Sequence, residues 1–314
     1  VTIREGANKF LKWPYSKNKR GFNSSSHKKN RKKVLNPLFS FSTLTEKKEV
    51  KEMRIVVASD MHCPFQDDRA IALVNKFCQW YKPQIVIIDG DLIDFYAISK
   101  FDKRPERATG DALRQEVETA RKVLEAIRRA NPNAKIILIV GNHEFRLRKY
   151  IYRKRIEDPE LDAILDLMGV PVGGVLGAIL HLDEMGIELA DLDPDKAKFS
   201  DNYIKIGNLY IGHWDRANKH AAYTAKNLLA DKGVNCLQAH THRIGTHVKT
   251  TLAGTLEAHE IGCLCSLNPH YTAKQDWAHG FALVEGNKTM TRFTVHIIHI
   301  RDYEFRYGKR IFKG

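Results

Sequence analysis

Three apolar runs in this chain stop in the same manner. "MRIVVASD" (53–60), "QIVIIDGD" (84–91) and "AKIILIVGN" (134–142) are each rich in aliphatic residues and end at an acid or an amide. Runs this short and this apolar suit strands buried on both faces. Between them lie "RAIALVNKFCQW" (69–80) and "DALRQEVETARKVLEAIRRA" (111–130), whose apolar residues fall at helical spacing. The second is closed by Asn131 and Pro132, a helix stop signal. Strand, helix, strand, helix, strand is the pattern of a parallel sheet with covering helices. Open α/β sheets keep their chemistry just past the carboxyl ends of such strands.

The rest of the chain is less regular. Residues 145–200 read as an insertion: a basic helix, then "LDAILDLMG", then the Gly-rich "GVPVGGVLGA". "NYIKIGNLYIGH", a helix within "KHAAYTAKNLLADK" and the strand "VNCLQAH" follow. The last third reads as short strands, "GTHVKTTL", "TLEAHEIG", "GFALVEG" and "RFTVHIIHI". A hydrophobic content of 43% is enough for a real core. No apolar run reaches the ~18 residues of a membrane span, so no membrane contact is expected. The first residues lack the apolar stretch of a secretory signal. The chain begins with Val, which suits a fragment or a first codon read literally. Five scattered cysteines point to reduced thiols in a cytosol. Cys263 and Cys265 are expected to be small packing residues, since no second Cys pair completes a zinc site.

Charge is uneven. Residues 1–52 hold fourteen Lys/Arg against four Glu, so +10 of the formal +14 lies there. "SSSHKKNRKK" has the composition of a disordered arm, and such an arm suits an electrostatic anchor for nucleic acid. "TIREGANKFLKWPYSKNKRGF" interleaves aromatics with cations and is open to reading as a helix-turn-helix remnant. The expected division is an arm over 1–52 and one domain over 53–314.

Five segments place polar residues just past apolar strands. They are "ASDMHCPF" (Asp60, His62), "DGDLIDF" (Asp91, Asp94), "VGNHEF" (Asn142, His143, Glu144), "YIGHWD" (His213) and "QAHTHR" (His240, His242). Each alone is weak; in this order, each at a strand end, they form a pattern. Two divalent cations about 3.5–4 Å apart need a carboxylate that can bridge them. Asp91 suits that position better than Asn142, which has no full negative charge. A mixed nitrogen and oxygen set without thiolate favours Mn²⁺, with Fe or Zn²⁺ as alternatives.

These segments resemble the calcineurin-like metallophosphoesterase superfamily, whose pattern runs D-x-H, G-D-x-x-D, G-N-H-[DE], G-H, G-H-x-H. Ala239 stands where the last motif usually has Gly. "KHAAYTAKNLL", "AHTHRIGTH", "GCLCSLNPHY" and "DWAHGFALVEG" are similar to phage and prophage metallophosphoesterases, over about residues 53–310. The resemblance implies a four-layer α/β/β/α sandwich with mixed central sheets. It implies that Asp60, His62, Asp91 and His242 hold one metal and that Asp91, Asn142, His213 and His240 hold the other. It gives His143 the role of leaving-group acid, with Glu144 or Asp94 holding its ring. A phage-encoded chain would work in the host cytoplasm.

The mechanism implied is hydrolysis of a phosphoester by a metal-bridged hydroxide attacking in line. Arg146, Arg148, Arg243, Lys219 and His220 are candidates for phosphate contact. Residues 146 and 148 cannot both face the site, because i and i+2 point apart on a helix. The basic arm favours a phosphodiesterase or nuclease acting on nucleic acid. A phosphomonoesterase is the alternative, and a non-catalytic binding module is a third that would predict lost ligands.

Overall fold

The computed structural model describes residues 52–99, 109–169, 174–191, 202–252, 254–268 and 276–314. The basic arm and its helix-turn-helix reading lie outside them. The three apolar runs form β1 (Met53–Ala58), β2 (Ile85–Asp89) and β3 (Lys135–Ile139). The two helical patterns form α1 (Asp68–Tyr81) and α2 (Gly110–Ala130). Asp67 caps α1 by accepting from Ala70 N, and Thr109 caps α2 through Ala112 N. Then come α3 (Asn142–Glu157), α4 (Pro159–Leu167), α5 (Gly174–Leu180) and β4 (Ile187–Ala190).

β4 pairs parallel to β3, so the stretch read as an insertion ends in a strand of the central sheet. Four residues with Glu188 exposed in their middle give little strand signal. The chain continues through β5 (Ile204–Ile206), β6 (Leu209–Gly212), α6 (Tyr223–Lys232) and β7 (Asn235–Gln238). It closes with β8 (Ile244–Thr251), β9 (Gly254–Ile261), β10 (Gly280–Gly286), β11 (Phe293–His299), β12 (Glu304–Tyr307) and β13 (Arg310–Lys313).

Six strands in the order β11-β10-β1-β2-β3-β4 form one sheet, parallel from β1 to β4 and antiparallel at β10 and β11. Five strands in the order β5-β6-β7-β9-β8 form the second, also mixed. Residue alternation along the strands assigns the layers. Val56, Val86, Ile88, Ile136 and Leu138 pack with Leu73 and Phe77 of α1 and Leu124 of α2. Their neighbours Ile55, Val57, Ile87 and Ile139 face the other way, against Leu209, Ile211, Leu237 and Ile261 of the second sheet. That sheet's outer face packs Cys236 and Ala258 on Leu228 and Leu229 of α6. The result is the four-layer α/β/β/α sandwich expected, with mixed central sheets. Period-two burial on both sheets leaves the strand ends as the natural place for polar groups.

The hairpin β12–β13 had no counterpart in the sequence reading. Gly308, with φ +56°, and Lys309 form its two-residue loop. Phe305 and Phe312 pack on Phe77 and extend the outer core.

Candidate metal centre

The carboxyl ends of β1, β2 and β3 and the starts of three loops meet at one place. Two glycines permit the approach. Gly90 has φ +76°, and a Cβ there would run into the His213 ring and Gly141. A Cβ on Gly141 would run into Asp91. The motif glycines are therefore steric requirements of packing three loops together.

Asp60, His62, Asp91, His240 and His242 all adopt positive φ, between 49° and 69°. Left-handed non-glycine residues cost about 1–3 kcal/mol each and persist where surrounding structure imposes them. Five of the expected ligands share this conformation. Nothing in the sequence announced it.

Asp91 Oδ2 lies 3.1 Å from His213 Nε2, 3.6 Å from His62 Nε2 and 3.8 Å from His143 Nε2. Asp60 Oδ1 lies 3.0 Å from His242 Nε2 and 3.7 Å from His62 Nε2. The two imidazole nitrogens His62 Nε2 and His242 Nε2 are 3.1 Å apart. Asp60, His62 and His242 form one group whose donor atoms lie within 4.8 Å of one another, and Asp91, His213 and His240 form a second. Asn142 stands at the first position of α3, and its buried Oδ1 has no hydrogen-bond partner. An orphaned buried amide oxygen is costly without a partner, and a cation would supply one. The donor set, carboxylates, imidazoles and one amide oxygen, fits divalent cations.

The acids and histidines of the centre shift one another's charges. Burial alone would raise Asp60, but His242 and His213 overcome it and hold its carboxyl well below the usual range. Asp91 is likewise held low against burial, chiefly by His213 and His143. Burial works against the charged ring of His213, yet Asp91 and Asp60 lift it to about 10. His242 is lifted in the same way to about 9, by Asp60. His240 is pushed down to about 4, by burial and by His213.

Around these groups sits a supporting set. His62 Nδ1 lies 3.0 Å from Asp94 Oδ2, and His213 Nδ1 donates to Asp89 O at 2.6 Å. His143 Nδ1 lies 2.8 Å from Asp94 O and 3.4 Å from Asp94 Oδ2. Asp94 is thus the neighbour of the His143 ring. Glu144, the other candidate for that task, accepts instead from the main-chain N–H groups of Asp91, Ile93 and Gly141. It ties two motif loops together through their backbones. On the opposite side Glu260 accepts from Ala225 N and Thr241 Oγ1, fixing the loop that carries His240 and His242.

The centre opens into a cavity of about 400 Å³ lined by Tyr96, Ser99, His143, Arg146 and Trp277 among others. Arg146 donates to Asp94 O at 3.0 Å and reaches within 3.5 Å of His143 Nε2. Arg148 leaves the phosphate-contact set: it is buried and pairs with Asp191 at 3.3 Å. Arg243 is engaged by Asp276 at 2.6 Å and by Asn218 O. Lys219 and His220 are exposed and do not line the cavity. Cys63 is buried beside the first motif and offers no donor to either group. Sequence reasoning missed Trp277, whose ring centroid is 4.1 Å from that of His242, and Cys265, which lies behind the same imidazole.

A family model described as calcineurin-like phosphoesterase matches residues 53–246. The Gene 54 protein of Mycobacterium phage D29 is 27% identical over 243 residues, covering 74% of this chain and 90% of that protein. The Gene 54 protein of Mycobacterium phage L5 is 26% identical over 239 residues, covering 74% and 88%. Among solved structures, Vacuolar Protein Sorting 29 from Cryptosporidium parvum is 11% identical, covering 84% of this chain and 99% of that one, with a TM-score of 0.41.

Proposed function

The chain belongs to the calcineurin-like phosphoesterase family, whose model spans more than half of it, and from this premise we propose a dinuclear phosphodiesterase that cleaves nucleic acid. Membership makes the chain a metal-dependent phosphoester hydrolase, with divalent metal ions as cofactors. The proposal adds the ligands, the number of ions and the substrate. Asp60, His62, Asp91 and His242 would hold one ion, and Asp91, Asn142, His213 and His240 the second, with Mn²⁺ the preferred metal.

The observation that carries this is Asp91 Oδ2, the oxygen on which histidines from both sheets converge. Two ions sharing it would lower the pKa of a water and neutralise charge on the phosphoryl oxygens. The chain supplies the rest. The His143 ring directs Nδ1 at the Asp94 carbonyl, which leaves Nε2 facing the site to pass a proton to the departing oxygen. Arg146 lines the cavity, which supports a role for it in meeting a phosphate oxygen. Charge on the arm supports a polyanionic substrate, because +10 sits within residues 1–52. The phage relatives suit action in a host cytoplasm. Among the described residues no helix is long and apolar enough to cross a membrane.

The test is turnover by the full chain with Mn²⁺ on bis-p-nitrophenyl phosphate, p-nitrophenyl phosphate, and single- and double-stranded DNA and RNA. A diesterase prefers the diester and cuts at least one nucleic acid. Removing residues 1–52 should weaken nucleic-acid binding and flatten its salt dependence while leaving the small diester unaffected. Preference for the monoester, with no nucleic acid bound or cut at low salt, replaces the nuclease with a phosphomonoesterase.

A further inference from the structure

Three imidazoles of the centre are backed by oxygen. His62 has the Asp94 carboxylate behind it, His213 the Asp89 carbonyl, and His143 the Asp94 carbonyl. His242 differs. Its Nε2 faces Asp60 and His62, and its Nδ1 lies 3.8 Å from the sulfur of Cys265. Both residues are buried, at 6% and 3% exposure. The Cys263 thiol donates to Ala278 O at 3.6 Å, and its sulfur lies within 4.8 Å of that of Cys265.

The segment that carries this sulfur is fixed on several sides. Cys263 N donates to Ala278 O at 3.0 Å, and Gly280 N donates to Cys263 O at 3.2 Å. Leu264 N donates to Ser59 O and Asp60 O, both at 3.2 Å, and Ser266 N to Phe65 O at 2.8 Å. His279 Nε2 lies 2.8 Å from Cys265 O. The same segment is therefore bonded to the loop of Asp60. Gly262 N to Arg243 O and Ala278 N to His242 O bond its surroundings to the loop of His242 as well. A sulfur held against both loops is suited to hold an imidazole between them. Ligating histidines are oriented by what their second nitrogen meets, and the loss of that partner typically costs 10–100-fold in metal affinity.

We propose that Cys265 is the positioning residue of His242, its sulfur accepting the Nδ1 proton so that the Nε2 lone pair is presented to the ion. This rests on the assignment of His242 as a metal ligand. The neighbouring geometry offers one rival use: His242, Cys263 and Cys265 are close enough to hold a soft ion themselves. That use would require His242 to bridge two ions through both ring nitrogens.

The experiment is calorimetric Mn²⁺ titration of the full chain as Cys265→Ala, Cys265→Ser, Cys263→Ala and His242→Ala, with ¹⁵N-histidine spectra of the Zn²⁺-loaded protein. Cys265→Ala is expected to weaken one of two ions about 10–100-fold and to shift the Nδ1–H resonance of His242. Cys265→Ser keeps an acceptor and should recover most of the affinity, which a purely space-filling sulfur would not explain. Cys263→Ala should have the smaller effect. Loss in His242→Ala with none in Cys265→Ala overturns the inference alone. No loss in either overturns the ligand assignment and the inference with it. Equal loss in the Ser and Ala variants reduces Cys265 to packing. A third, Zn²⁺-selective ion lost from either cysteine variant assigns the sulfurs to metal binding instead.

Discussion

The two sheets bring different chemistry to their shared edge. Loops from the six-stranded sheet supply Asp60, Asp91 and Asp94, with His62, Asn142 and His143 beside them. Loops from the five-stranded sheet supply His213, His240 and His242. Its buried carboxylate, Glu260, is turned to its own loop. The aspartates thus all come from one side, and the other side brings only histidines to the centre. Each proposed ion site draws on both sheets, and the inter-sheet core of Ile55, Val57, Leu209 and Leu237 brings the halves together. One consequence is that carboxylates of one sheet charge a histidine of the other, His213 being lifted to about 10.

The largest effect should come from the residue both halves share. Asp91→Asn removes the oxygen facing His62, His213 and His143. Both ions should weaken, and turnover should fall further than in any variant below. Metal analysis of the purified variant checks this; two tightly held ions would separate Asp91 from the bridging role.

His143→Ala divides chemistry from metal binding on the six-stranded side. Both ions should stay, and turnover should fall about 10²–10⁴-fold. The loss should shrink for a nitrophenolate leaving group, which needs little protonation. An equal loss for good and poor leaving groups would remove the acid role.

Glu144 and Glu260 compare the two clamps. Leaving a buried hydrogen-bonding group unsatisfied costs about 1–3 kcal/mol. Glu144 accepts three main-chain N–H bonds across two motif loops, Glu260 one N–H and one hydroxyl. Glu144→Gln should therefore lower the unfolding free energy more than Glu260→Gln, read by urea denaturation of metal-free protein. The reverse order would place the more demanding scaffold on the five-stranded side.

The smallest effect concerns Glu116, which holds Ala97 N at 2.9 Å behind the cavity-lining turn Tyr96–Ile98. Burial pushes its carboxyl up to about 7. A raised acid favours the protonated fold. Its contribution is complete below the unfolded value near 4.5 and is lost as pH rises toward 7. The loss is at most roughly 3 kcal/mol, at ~1.4 kcal/mol per unit. Glu116→Gln should therefore gain relative to the parent between pH 5 and pH 8 in denaturation curves. A constant difference across that window would show that Glu116 ionises normally.

How much of this was legible in sequence follows the same division. The candidate ligands of the six-stranded half end long apolar runs, so strand pattern and motif coincide at Asp60, Asp91 and Asn142. His213, His240 and His242 were legible from their position after short strands. The supporting contacts were not, because they join residues far apart in the chain. Arg148 reaches Asp191, Arg243 reaches Asp276, and Cys265 reaches a histidine from another loop. No local periodicity encodes such pairs. β4 and the hairpin β12–β13 were missed for another reason: four-residue strands with exposed positions carry too few buried residues to declare a period.

Two facing sheets are proposed to build one centre for two ions around Asp91. Electron paramagnetic resonance of the full chain loaded with Mn²⁺ tests it most directly. Two ions about 3.5–4 Å apart that share a carboxylate give an exchange-coupled spectrum. That spectrum should collapse to uncoupled or lost Mn²⁺ in Asp91→Asn. A single isolated six-line signal from the parent, at one ion per chain under saturating Mn²⁺, would contradict it.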